Sequence, residues 1–370
     1  MPLLLRYVLK ELLVPLVVWL GFLFLLLFIM QFLRATEVLL GSAVRLGDLG
    51  RLIVYLGPHF LVMALPVAFL LAILLGMGRL GEDREIAAMR AVGVGPWQML
   101  AIPAVLGILL GGLTLALAST VEPRGLSAVR GLVNEIIKKN VIGDVKPGVF
   151  YEDLTNLTVY AEEVDTQRGT WGNVLVHDDR DPAAPLLVVA RAGWVNPAGK
   201  GEWLKLALAD GRVHRANRAS TDYAVVSFER AEINVGVEGR IVQKNRFRSA
   251  REEMTPFELL EAAEDESAAG GDPRPILMTF YSLFGQALTP VAFALLGTPF
   301  AIGGRKAGRA RGVVITVLAY ILYYVLSRAF VNLGSQGALP IPLAVLLPNV
   351  IIGGVGAMAM YRFSRAGASA

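Results

Sequence analysis

The chain has no cysteine, three histidines and few charges. Without cysteine there are no thiol nucleophiles, disulfides, Cys-ligated zinc sites or iron–sulfur clusters. His59, His177 and His214 are far apart in the sequence, which disfavours a histidine-rich metal site, and no cofactor is expected. Charged residues occupy 18% of the 370 positions and apolar ones 55%, whereas soluble domains average about 25% and roughly 45–50%. That balance argues against a disordered regulator and against an ordinary soluble enzyme. Catalytic signatures are missing too. There is no Gly-x-Ser-x-Gly and no His-Glu-x-x-His, and Gly303–Gly308 lacks the spacing of a phosphate-binding loop, so it reads as a basic anchor between spans. Asp178-Asp179 and Glu252-Glu253 read as solvated loops. No enzymatic activity is expected.

What the chain does have is long apolar runs. A helix crosses a bilayer with about 20 mostly apolar residues, and six stretches qualify: Leu12–Leu33, Ile53–Gly78, Trp97–Thr120, Ile276–Ile302, Val313–Leu333 and Leu339–Tyr361. The third carries Gly107-x-x-x-Gly111, a spacing that lets helices approach closely. The first run is too long for the core of a signal peptide and ends in no small-residue cleavage site, so it reads as a retained span. Orientation follows from lysine and arginine in the short flanks. With the N-terminus inside, 11 basic residues lie on the cytoplasmic side: Arg6, Lys10, Arg79, Arg84, Arg90, Arg305, Lys306, Arg309, Arg311, Arg362 and Arg365. Only Arg34, Arg45 and Arg51 lie in the short outer loops. Both termini are therefore expected in the cytoplasm. The long insert is expected outside, which in a bacterium with two membranes is the periplasm.

Charge separates the insert from the rest. Residues 120–273 carry a net −6 and the remainder +10; basic charge beside apolar spans points to membrane orientation or anionic lipid, not to nucleic acid. Within the insert, Leu157, Val159 and Ala161 alternate with polar neighbours, as do Leu204, Leu206 and Leu208, and Ala231, Ile233 and Val235. Further strands are expected at 173–177, 186–195 and 223–228, with turns at Asp210-Gly211 and Asn196–Gly199. Val121–Asn140 and Thr255–Glu266 read as helices, and Ala268–Pro273 as a flexible return. The expected architecture is a membrane α-helical protein of six transmembrane helices, three and three, with an inserted periplasmic all-β sandwich or jelly-roll-like domain. The boundaries fall at 1–120, 121–273 and 274–370.

Between spans two and three, residues 82–93 read as a short cytoplasmic helix. Glu82 and Glu85 favour its first turn, and Gly93, Gly95 and Pro96 stop it. Ile86, Met89 and Val92 form an apolar stripe flanked by Glu82, Glu85 and Arg90. Such a helix either docks in a groove of a soluble partner or lies on lipid; the shortage of basic residues favours docking.

These features together resemble the LptF/LptG permease family: Arg6-Tyr7 before the first span, the Glu-x-Glu-Ile-x-x-Met-x-Ala-x-Gly pattern varied here as Glu82–Gly93, a β-rich insert after span three and a basic linker after span four. The likeness covers essentially the whole chain, and the Arg-Tyr start and acid-rich helix lean towards the F-type. It implies a transmembrane subunit of the lipopolysaccharide ABC transporter, paired with a second LptF/LptG-type permease chain over a dimer of the ATPase LptB. The β domain would pass lipopolysaccharide towards LptC and LptA. Glu85 matches the coupling-helix acid that contacts the ATPase, Ile86 and Met89 would seat the helix in its groove, and the neighbouring Arg84 could compete for Glu85. Arg34 matches a basic residue facing lipid A phosphates, or else is a snorkelling terminal arginine; Arg45 and Arg51 are weaker candidates. Arg328, inside span five with no acid in the spans to pair with, marks a cavity wall or a partner-chain ion pair. His59 reads as a satisfied polar group behind Pro58. Two other readings are a membrane-anchored periplasmic binding or assembly module without transport, and an exporter subunit of the lipoprotein-releasing type. The inner-side helix disfavours the first and the span count the second.

Overall fold

The computed structural model of the chain describes residues 2–39, 46–143, 147–154, 157–165, 169–180, 185–197, 203–216, 223–236, 250–302 and 309–366. They form two compact units. The first comprises Met1–Phe32, Ile53–Ser127 and Ser249–Ala370; the second comprises Leu33–Leu52 and Ala128–Arg248.

Among the described residues, six helices are long and apolar enough to cross a membrane, in agreement with the six apolar runs. They are α1 (Pro2–Leu39), α2 (Leu46–Glu82), α4 (Pro96–Ala116), α7 (Arg274–Ile302), α8 (Arg309–Ser335) and α9 (Ile341–Ala366). Between α2 and α4 lies the seven-residue α3 (Glu85–Ala91). A π-turn, Leu117–Val121, joins α4 to α5 (Glu122–Gly143). Helix α6 (Pro256–Ala268) begins on a capping box. There the backbone N–H of Thr255 donates to Glu258 at 2.7 Å and Thr255 Oγ1 accepts from the backbone N–H of Glu258.

The helical core cannot rest on the hydrophobic effect alone, because lipid tails are as apolar as leucine; close van der Waals packing must hold it. Small residues permit that approach. A Cβ placed on Gly111 of α4 would sit 2.3 Å from the Ala287 carbonyl oxygen of α7, and one on Gly107 would lie 3.1 Å from that of Pro290. The Gly107/Gly111 spacing thus marks the α4–α7 seam. Buried Thr114, Thr289, Thr298 and Thr316 each donate to the carbonyl four residues earlier, so their hydroxyls cost little in an apolar interior. Asn349 of α9 donates across to the Gly285 carbonyl of α7 at 2.9 Å.

The insert is all-β among its described strands: β1 (Phe150–Leu154), β2 (Leu157–Asp165), β3 (Thr170–Asp178), β4 (Leu186–Pro197), β5 (Trp203–Ala216) and β6 (Tyr223–Gly236). They form one antiparallel sheet in the order β1-β2-β3-β4-β5-β6. This refines the jelly-roll expectation: every described strand pairs with its chain neighbour, a meander rather than interleaved Greek keys. Asp210-Gly211 is likewise not a turn. Strand β5 runs straight through it, and β6 joins two stretches expected as separate strands. Of the other expected turn, Asn196–Gly199, the first two residues close β4 and residues 198 and 199 lie outside the described set.

A single row of residues creases the sheet. Asn173 and Asp210 have φ of 49° and 51° in mid-strand, a conformation that Asn and Asp tolerate best among residues with a side chain. The pairing passes over Glu162, Asn173, Arg191, Asp210 and Glu229 at the same level on five strands. Apolar alternation slips there by one residue. Val159 and Ala161 are followed by Val164, Val176 and Val174 by Trp171, and Leu208 by Val213, so the apolar residues stay in one cluster on both sides of the crease.

At one end of β3, buried Asp178 accepts from Arg180 Nε at 2.8 Å and from its backbone N–H at 3.1 Å. Burial alone would push the Asp178 carboxyl up; the guanidinium and the backbone donor outweigh it and hold it below the ordinary carboxylate range.

Candidate functional site

The candidate site is built where α2 ends. Its last turn closes with Asp83 N–H donating to the Arg79 carbonyl at 2.9 Å, and Arg84, with φ 59°, turns the chain into α3. At the other end Gly93 (φ 89°) ends the helix, Val94 N–H donates back to the Met89 carbonyl at 3.0 Å, and Val94 packs on the core. Helix α3 is thus a short rod with a sharp bend at each end.

Its apolar stripe faces inward. Ile86 and Met89 are buried in this chain's own helical core, beside Met77, Leu80, Met99 and Leu100. The expectation that they seat the helix in a partner's groove is corrected: they seat it on its own bundle. Three-residue spacing places both on one side of the rod, and that side is already occupied. The surface left open consists of Ala87, Ala88, Ala91 and Val92, with Glu82, Asp83 and Arg84 exposed at the preceding turn.

Two side chains fasten the rod to other helices. Glu85 is half-buried, and its Oε1 accepts from the Tyr7 hydroxyl of α1 at 2.9 Å; Arg84, the competitor expected from sequence, is exposed and takes no part. The Arg90 guanidinium lies 5.2 Å from the ring centroid of Phe363 on α9. Nearby, Arg79 of α2 donates to Glu11 of α1 at 3.3 Å. Sequence reading had no means of finding Tyr7, Glu11 and Phe363 as partners, because each contact joins residues more than 60 positions apart.

The arginines expected at the headgroup fare differently. Arg34 lies in α1, but its side chain is outside the described residues, as is the whole of Arg45. Arg51 is exposed, 3.8 Å from Asp48 in an i,i+3 pair. Arg328 is exposed on α8 and stacks on Tyr324 one turn earlier, 5.2 Å from its ring centroid, with Nε 3.2 Å from the hydroxyl. Its charge thus lies on the outer surface of this chain's bundle. His59 is satisfied as expected, its Nδ1 2.7 Å from Glu122 Oε1 just past the π-turn. Among the described residues no group of three or more His, Asp and Glu is placed to hold a metal.

A family model described as lipopolysaccharide export system permease LptF/LptG matches residues 6–362. The chain belongs to the LptF/LptG family. No individual curated protein matches it. The matched description covers F- and G-type chains alike. As a family member, the chain is a multi-pass inner-membrane permease subunit of the ABC transporter that exports lipopolysaccharide. Two surfaces of this chain stand open: the exposed side of α3, and the outward-facing residues of α1 and α8, each buried over only 11% of its apolar stretch.

Proposed function

We propose that this chain extracts lipopolysaccharide from the outer leaflet of the inner membrane and passes it to a periplasmic bridge, driven by a separate cytoplasmic ATPase. In this reading both termini and α3 face the cytoplasm, and the β domain faces the periplasm, as the 11-to-three distribution of basic residues supports. The observation that carries it is the seating of α3: a rod fixed to its own bundle through Ile86 and Met89, with an open face of small residues for a partner. An LptB-type ATPase dimer docks there. Glu82 and Glu85 offer carboxylates to a cation on the ATPase, while Arg90 holds the rod to α9.

A second LptF/LptG-type chain faces the exposed sides of α1 and α8, because six spans are too few to enclose a lipid with several acyl chains. The cavity between the two chains opens towards the outer leaflet. Arg34, Arg45 and Arg51, with Arg328 on the wall, hold phosphates at headgroup depth, where a cation both attracts phosphate oxygens and tolerates water. Each such contact must weaken when ATP closes the dimer, or hydrolysis would only tighten the trap. LptC- and LptA-type proteins receive the lipid from the sheet.

The test is Glu85→Arg in the assembled transporter. Lipid release should stop while ATP hydrolysis continues, uncoupled from it; normal release would overturn the coupling role. Arg34→Glu should weaken photocrosslinking of lipid at that position several-fold, and unchanged crosslinking would remove Arg34 from the site.

A further inference from the structure

Three contacts fasten the first turns of α1 at one level. Tyr7 and Glu11 are one helical turn apart and so share a face of α1. Tyr7 donates to Glu85 of α3 at 2.9 Å, and Glu11 accepts from Arg79 of α2 at 3.3 Å. Between them the backbones touch: a Cβ on Gly76 of α2 would lie 2.4 Å from the Glu11 carbonyl oxygen. Val8 and Leu12 fill the same contact and are buried. Farther along, only apolar contacts continue on one face, with Leu16 buried, Trp19, Leu20 and Leu23 on the core, and Phe24 and Phe28 against Phe60 of α2, while Val14, Val17, Val18, Phe22 and Leu25 on the other face are exposed. Helix α1 is therefore a long arm whose described side-chain hydrogen bonds to other helices lie at one end.

We propose that Tyr7 is a positioning residue that transmits displacement of α3 to the first span. The proposal rests on the coupling role of α3 given above. The chemistry suits it. A phenol supplies one neutral donor, so it orients the Glu85 carboxylate through Oε1 without cancelling its charge, whereas a lysine at position 7 would neutralise it. Among the described residues Oε2 has no partner, and it remains for a cation on the ATPase. One carboxylate then bridges the ATPase and α1. Pulling α3 loads a directional hydrogen bond at the polar-fastened end of the arm, while Arg90 on Phe363 carries the same displacement separately to α9.

The test uses Tyr7→Phe, which removes only the hydroxyl, in the complete transporter reconstituted in proteoliposomes with lipopolysaccharide. Because the chain has no cysteine, single cysteines can report on each helix: Val18→Cys on the exposed side of α1 and Met358→Cys on that of α9. Each carries a spin label, with vanadate-trapped nucleotide as the trigger. The expected result is a nucleotide-dependent change at position 18 that falls by at least half in Tyr7→Phe, while the change at position 358 persists. Lipid released per ATP hydrolysed should fall at least fivefold. A merely structural role would diminish both labels equally, and that outcome overturns the proposal. So does an undiminished change at position 18, or its absence from the unsubstituted chain. Normal lipid release in Glu85→Arg would instead overturn the coupling reading itself, whereas a silent Tyr7→Phe beside an uncoupled Glu85→Arg removes only Tyr7.

Discussion

Helices α1 and α2 are both strongly apolar and both long enough to span a membrane, yet 78% of the apolar stretch of α2 is buried inside the chain against 11% of that of α1. One difference between them is a line of small residues on α2. Along one line of α2, four residues apart, stand Ala64, Ala68, Ala72 and Gly76; the three alanines are no more than 2% exposed, and Gly76 meets the backbone of α1. Most of the outward residues of α1 are bulky Val, Leu and Phe, and its Gly21 has open space around it. In lipid, a groove of small residues invites a neighbouring helix, whereas large apolar side chains are equally content against acyl chains. Apolarity selects the membrane; a line of small residues helps select the position within it.

The sharpest way to break this contrast is at its glycines. Gly76→Leu should push α1 off α2 and destabilise the bundle by about 3 kcal/mol or more, read as loss of monodisperse protein in mild detergent, while Gly21→Leu should leave yield unchanged. Equal behaviour of the two would end the comparison. Next comes Phe69→Ala against Phe22→Ala. Phe69 is fully buried and Phe22 is 53% exposed, so the first should cost up to about 3 kcal/mol in a detergent melt and the second close to nothing. The same distinction within one helix is finer. Gly111→Ala should loosen α4 from α7, and Gly112→Ala, next to it with open space, should be silent.

The smallest effect lies in the sheet, where a buried acid can be set against exposed ones. Asp178 is held below the ordinary carboxylate range once the Arg180 contacts overcome its burial. Its contribution is therefore fully present above the unfolded-state value near 4 and lost as pH falls through its lower folded-state value. Asp178→Asn should lower sheet stability by about 1 kcal/mol at pH 7 and flatten the acid limb of the profile. Substitution of exposed Glu229 should do neither. Fluorescence of the buried Trp171 follows the transition.

How much of this was legible beforehand depended on the range of the information. All six spans, the inserted sheet, the Gly107/Gly111 seam and the helix from Thr255 are written in local pattern, and each stands close to where hydropathy, alternation and small-residue spacing put it. Ile86 and Met89 show where that reading stops: a stripe at helical spacing says that one side must be covered, and says nothing of what covers it. The nearest available cover was the chain itself. Alternation likewise identifies strands without naming their neighbours, so a meander and a jelly roll look alike in sequence. Asp210-Gly211 has turn chemistry because the crease needs a left-handed residue there, and only the paired strands on either side reveal that the chain does not turn back. Tyr7 lies 78 residues from Glu85, and no periodicity reaches that far.

Because each described strand of the sheet hydrogen-bonds to its predecessor in the chain, no strand has to wait for a distant mate. Loop closure is short at every step, and non-local pairing is what slows most β structures. The sheet can therefore add one strand at a time as the polypeptide is made, with only the first and the newest strand offering an unpaired edge at any moment. For an insert flanked by greasy helices, that brevity of exposure is a safeguard against aggregation during biogenesis.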